Sequence, residues 1–190
     1  MMSSRVIGAL ALVFAGFSGT SAENLVRFEF DTDGVVGDAP DSITASVGDS
    51  IFVDVWITEN ECITAMGIAA TLCDSAGVVG FLGFDLAIPP PWRILEILDL
   101  GMGCTSITAF DLSLTSPHVA PLLYGTAIYL AAGETALSRL VLDPTRSGIW
   151  NSGFCEDGGL DIRATPLFLR IQGAAATSTS AWSSVKKLFR

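Results

Sequence analysis

Apolar and polar positions alternate with a period of two along most of the chain. In Ser50 to Thr58, Ile51, Val53, Val55 and Ile57 fall on one side, and Phe52, Asp54, Trp56 and Thr58 on the other. That is the pattern of a strand with one buried face. Runs of this kind, rich in Val, Ile, Thr, Phe and Leu, are punctuated by Gly, Pro, Asp and Asn roughly every ten residues, the rhythm of an all-β sandwich. The strands it predicts are 25–30, 42–46, 50–58, 63–72, 78–88, 93–98, 106–114, 122–130, 136–142 and 167–171. An antiparallel arrangement around one core is expected. Asp33-Gly34 and Val47-Gly48-Asp49 suit tight reversals, and Asp74-Ser-Ala-Gly77 suits a hairpin loop. The triple proline 89–91 cannot donate to a ladder and belongs at a strand end or sheet edge. Residues 94–100 also read as one helical turn, but Pro91 before them and Gly101 and Gly103 after them favour a strand.

The two ends break the pattern. Met1 to Arg5 is a short basic start, 6–17 is apolar, and Thr20-Ser-Ala22 supplies small residues, so 1–22 reads as a secretory signal peptide. The apolar run is shorter than the roughly 20 residues a bilayer requires. Residues 23–173 then form the sandwich and 174–180 a linker of small residues. Residues 181–190 form a short helix with Trp182, Val185, Leu188 and Phe189 at helical spacing. A helix that short is marginal alone in water, so it must dock on something.

Charge narrows the partners. Twenty acidic residues lie between Glu23 and Asp161, while 23–173 holds six arginines and no lysine. A surface of that sign repels nucleic acid and anionic lipid, so no nucleic-acid partner is expected. Beyond Gly173 the balance reverses, with Lys186, Lys187, Arg190 and no acid, which suits docking on an acidic surface or an envelope component.

Four segments carry a family resemblance. Val47-Gly-Asp-Ser-Ile-Phe-Val-Asp-Val-Trp-Ile57 begins with a turn and continues as an alternating strand. Val79-Gly-Phe-Leu-Gly-Phe-Asp-Leu-Ala-Ile-Pro-Pro90 is followed by Ile94-Leu-Glu-Ile-Leu-Asp-Leu-Gly101, and Leu122-Leu-Tyr-Gly-Thr-Ala-Ile-Tyr-Leu130 alternates about a glycine. Their order resembles the strands of cohesin-like modules over about 46–142. The resemblance implies a nine-stranded jelly roll of a secreted bacterial protein, and protein binding rather than catalysis. The tail is also similar to short C-terminal tails of secreted bacterial proteins.

Candidate chemistry is sparse. Four cysteines in an oxidising compartment favour disulfides. If 63–72 is extended, Cys62 and Cys73 lie on the order of 35 Å apart, too far to bond. Counting strands up and down pairs Cys73 with Cys104 and Cys62 with Cys155. The single histidine, His118, lies between Pro117 and Pro121 without a nucleophile motif and reads as an exposed loop residue. A hydrolase would need paired carboxylates such as Asp31 and Asp33, or Glu156, Asp157 and Asp161, about 5 to 9 Å apart. The same acids beside glycines, with Asp38 and Asp41, are hard oxygen ligands, so a structural calcium is a candidate and no other cofactor is indicated. Phe52, Asp54 and Trp56 on one strand face, with Trp92 and Trp150 in loops, are the candidate binding residues for a protein or an extracellular glycan. The alternative is burial under a loop or the tail, which is favoured for Trp56 because large rings are mostly buried.

Overall fold

The computed structural model describes residues 24–37, 40–60, 65–111, 119–151 and 160–173. Over these the chain is built of strands: β1 Asn24–Asp31, β2 Ser42–Ser46, β3 Ser50–Asn60, β4 Ala65–Asp74, β5 Val79–Leu86 and β6 Trp92–Gly101. After them come β7 Cys104–Asp111, β8 Leu122–Ala131, β9 Thr135–Leu142, β10 Gly148–Asn151, β11 Leu160–Thr165 and β12 Leu167–Gln172. A five-stranded sheet runs β11-β1-β3-β8-β5. It faces a seven-stranded one running β2-β12-β9-β4-β7-β6, with β10 also paired to β4.

The period-two pattern decides what lies between the sheets. On β3, Ile51, Val53, Val55 and Ile57 are at most 1% exposed. They meet Ile68, Ala70 and Leu72 of β4, Ile107 and Ala109 of β7, and Leu140 of β9 in one buried cluster. Tyr124 of β8 crosses this interior. Its hydroxyl donates toward the carbonyl oxygens of Ile107 at 3.0 Å and Ile68 at 3.3 Å, tying one sheet to the other. Burial holds this phenol far above its ordinary pKa, so it remains a donor.

Three expectations change. Two strands, β10 and β11, were absent from the sequence-based set, and the twelve strands described exceed the nine that the resemblance implied. The four residues of β10 are too few to show alternation. Second, two neighbours are parallel, β1 with β11 and β12 with β2, because strands late in the chain return beside early ones. Third, Asp74-Ser-Ala-Gly77 is not a hairpin. It is a corner that carries the chain from β4 in one sheet to β5 in the other. Asp74, 4% exposed, holds that corner by accepting from the amides of Ala76, Val78 and Val79 and from the Ser138 hydroxyl. The strand expected over 93–98 is present, within β6, in place of the helical turn that 94–100 also suggested.

Cys73 and Cys104 are bonded, as expected, and they sit opposite each other in the β4–β7 register with Cα atoms 4.0 Å apart. Closing a loop of this length stabilises the fold by about 3–4 kcal/mol in the chain-entropy picture. Cys62 and Cys155 lie outside the described residues, as do His118, the leader 1–22 and everything after Gly173.

Candidate functional site

The outer face of β3 does not present its aromatics as a pair. Phe52 is 57% exposed, beside Ile128 across the ladder to β8. Trp56 is half-buried, and its indole N–H is enclosed without a partner among the described residues. On the neighbouring strand Glu29, the cross-strand partner of Trp56, is 5% exposed. The Gly37 amide donates to Glu29 Oε1 at 2.5 Å. Asp54 is also engaged, its Oδ1 accepting from the Thr126 hydroxyl at 2.5 Å. Trp92, expected in an exposed loop, is instead 3% exposed as the first residue of β6, with its ring in the core cluster. Trp150 lies in β10 opposite Gly67; its side chain is outside the described set. The five candidate residues therefore do not form one surface.

A different surface emerges at β6, which pairs with β7 and, among the described residues, with no other strand. Leu95, Ile97, Leu98 and Leu100 are 36–52% exposed there. Breaks in register after Ile94 and after Asp99 turn the strand, so the aliphatics do not all lie on one side. Arg93, Glu96 and Asp99 are interspersed, the charges that guard an open edge against indiscriminate pairing. The sequence signal was present in Ile94-Leu-Glu-Ile-Leu-Asp-Leu100, whose apolar residues break the simple alternation.

The β6–β7 turn adds to this edge. Gly101, Met102 and Gly103 all have positive φ, at 73°, 52° and 74°, and Met102 is 91% exposed. Next to it a cleft of about 480 Å³ opens between β5 and β6, the strands at the ends of the two sheets among the described residues. Phe81 and Tyr129 line one wall, and Ile97 and Met102 the other. The two rings pack edge to face with centroids 5.6 Å apart. Burial, with the charge of Asp74 adding to it, pushes the Tyr129 phenol far up, so it stays neutral. The cleft is thus a notch walled by aromatic and aliphatic side chains, with Asp99 as the charged residue of its lining.

The acidic candidates separate. Asp31, Asp33 and Asp41 converge, with one carboxylate oxygen of each within 4.8 Å of the others. Asp31 is 1% exposed and its Oδ1 accepts from the amides of Asp33 and Gly34, so it does not line an open substrate cleft. That removes the Asp31–Asp33 version of a glycosidic acid pair. Asp161 is paired with Arg163, and Glu156 and Asp157 lie outside the described residues.

No protein-family model matches the chain, and no curated protein matches it. Solved structures do. The cohesin CaCohA2 from Clostridium acetobutylicum shares 14% identity with a TM-score of 0.59, over 82% of this chain and 95% of that one. The cohesin module of a family 33 glycoside hydrolase from Clostridium perfringens shares 10% with a TM-score of 0.58, over 80% and 99%. The seventh ScaB type I cohesin from Pseudobacteroides cellulosolvens shares 12% with a TM-score of 0.57, over 82% and 96%. The likeness is one of fold, and it spans nearly the whole of each matched module: the chain is a cohesin-like β-sandwich.

Proposed function

We propose that the chain is an exported, non-catalytic module that binds a protein partner in the cohesin manner, using the β6 edge and the cleft beside it. The observation that carries this reading is the row of aliphatics along the β6 edge, Leu95, Ile97, Leu98 and Leu100, with Met102 at its end, all exposed among the described residues. Apolar side chains concentrated at one edge, with charges between them, have the composition of a protein-binding patch. The adjacent notch has room for one large anchoring side chain. Among the fold relatives, one cohesin of Acetivibrio cellulolyticus scaffoldin B was solved in complex with the Cel5 dockerin, which supports a dockerin-like partner here. The net negative domain favours a partner surface that is basic at its rim.

The glycan reading rested on a row of exposed rings, and of its members Phe52 alone is exposed among the described side chains. Residues 1–22 serve as the export leader in this reading, the Cys62–Cys155 bond completes the pairing, and residues 181–190 beyond the 174–180 linker dock on an acidic surface. The test is binding of the purified chain to a panel of dockerin modules by biolayer interferometry, beside its retention on insoluble polysaccharide. Saturable binding to a dockerin, indifferent to added sugar and weakened at least about tenfold by Leu98→Lys, is expected. Retention on polysaccharide that disappears in Phe52→Ala, with no dockerin bound, overturns the proposal in favour of a glycan-binding module.

A further inference from the structure

The connection from β1 to β2 crosses from the five-stranded to the seven-stranded sheet, and its two ends carry an arrangement that protein–protein binding does not use. Asp31 closes β1, Asp33 follows two residues later, and Asp41 stands just before β2. Their carboxylates meet within 4.8 Å. Like charges so close repel one another, and the fold must hold them together against that force.

Part of the holding is visible. Asp41 Oδ2 accepts from the Thr32 amide at 2.8 Å and faces the Thr32 hydroxyl at 3.2 Å, while Asp33 Oδ1 accepts from the Val35 amide at 2.9 Å. The Asp41 carbonyl accepts from the Phe168 amide of β12 at 2.9 Å, which fixes the far end of the connection to the seven-stranded sheet. The near end is different. Asp31 is 1% exposed, both of its amide bonds go to Oδ1, and Oδ2 is enclosed with no hydrogen-bond partner among the described residues. A buried anionic oxygen without a donor is costly. The ion pairs among the described residues are Arg27–Glu59, Arg146–Asp143 and Arg163–Asp161, and none of them includes Asp31.

We propose that Asp31, Asp33 and Asp41 bind a calcium ion that fastens the β1–β2 connection between the two sheets. Calcium is hard, takes six to eight oxygens in adaptable geometry, and is well served by several carboxylates on one irregular loop. Magnesium demands a tighter octahedron and gives up its water reluctantly, which a half-exposed loop suits less well. Asp31 Oδ2 supplies the buried ligand, and Asp33 and Asp41 supply ligands toward solvent, where the ion enters and keeps waters. The site is separate from β6, so it stands or falls independently of the partner proposed above.

The experiment uses the full mature chain, stripped with chelator, titrated with calcium chloride in a calorimeter and followed by thermal unfolding. One calcium per chain and a rise in Tm are expected. Asp33→Asn and Asp41→Asn keep an oxygen for their amide donors but lose charge, and each weakens calcium binding at least about tenfold. Asp31→Asn keeps Oδ1 for its two amides and places a donor where the orphaned oxygen lies. It therefore abolishes the calcium response and raises the Tm of the calcium-free protein. Absence of binding heat and of any Tm change at millimolar calcium overturns the proposal. So does unchanged binding in the Asp33→Asn/Asp41→Asn double variant, or a larger response to magnesium than to calcium.

Discussion

β3 and β6 are both long strands that follow a turn, yet they live in different surroundings. β3 lies between β1 and β8, and every second residue from Ile51 to Ile57 is buried. β6 has β7 on one side and no strand on the other among the described residues, and from Leu95 to Gly101 each of its residues is exposed. Burial is therefore not a property of the apolar residue. It follows from how many neighbours flank the strand and whether the second sheet covers it. An apolar residue in β3 stabilises the fold; in β6 it stays at the surface.

The largest effects should fall where that contrast is steepest. Ile57→Ala removes a side chain 1% exposed between Phe28 and Leu122 of the flanking strands, and should cost about 4 kcal/mol by denaturant unfolding. Leu98→Ala, at 43% exposure on the edge, should stay within about 0.5 kcal/mol. Equal losses from the two would erase the distinction between a structural strand and a presenting one. Next in size is Gly125→Ala, in β8 opposite Val55 of β3. A Cβ there would lie 2.4 Å from the Asp85 carbonyl oxygen and 2.5 Å from the Phe84 ring. That ring is 7% exposed and packs 4.9 Å from Tyr124, so it has little room to yield. About 2 kcal/mol of destabilisation is expected, from backbone displacement rather than a lost contact. A neutral Gly125→Ala would mean that the middle of this sheet is looser than its packing indicates.

The same contrast explains what the sequence could and could not reveal. Alternation around Val53 and Val55 identified β3 and its inward face without knowledge of any partner, because a period of two is a local property. The Cys73–Cys104 bond was also legible, since it depended on strands running up and down between the two ends of the sandwich. Edge position is not local. Whether β6 has a second neighbour is decided by where β5 and β8 go, and they join the other sheet. For that reason Trp92 read as an exposed loop residue and proved to be core, while the aliphatics of 94–100 read as an ambiguous element and proved to be surface. Trp56 is half-buried, in keeping with the tendency of large rings to be covered, so it does not form an open platform with Phe52. The acidic cluster lies between these cases. Sequence placed Asp31, Asp33 and Asp41 near one another, but only the fold shows that Asp31 is shut away from water.

The smallest expected effect is the most informative about what β6 is for. Met102 holds a left-handed backbone at φ 52° between two glycines that adopt that region freely, a conformation costing a side-chain-bearing residue on the order of 1 kcal/mol. It is also 91% exposed, so little packing within the molecule repays that cost. Met102→Gly should therefore stabilise the isolated domain by about 0.5 kcal/mol in denaturant unfolding, the relieved strain being partly offset by glycine's freedom when unfolded. Met102→Ala keeps the backbone strain and removes the thioether, so it should leave stability unchanged. If the turn is shaped to present methionine at the rim of the cleft, both variants weaken partner binding by a similar factor despite their different stabilities. Binding that tracks stability instead, with Met102→Gly at least as tight as the parent, would assign the strain to the turn alone and remove Met102 from the docking surface.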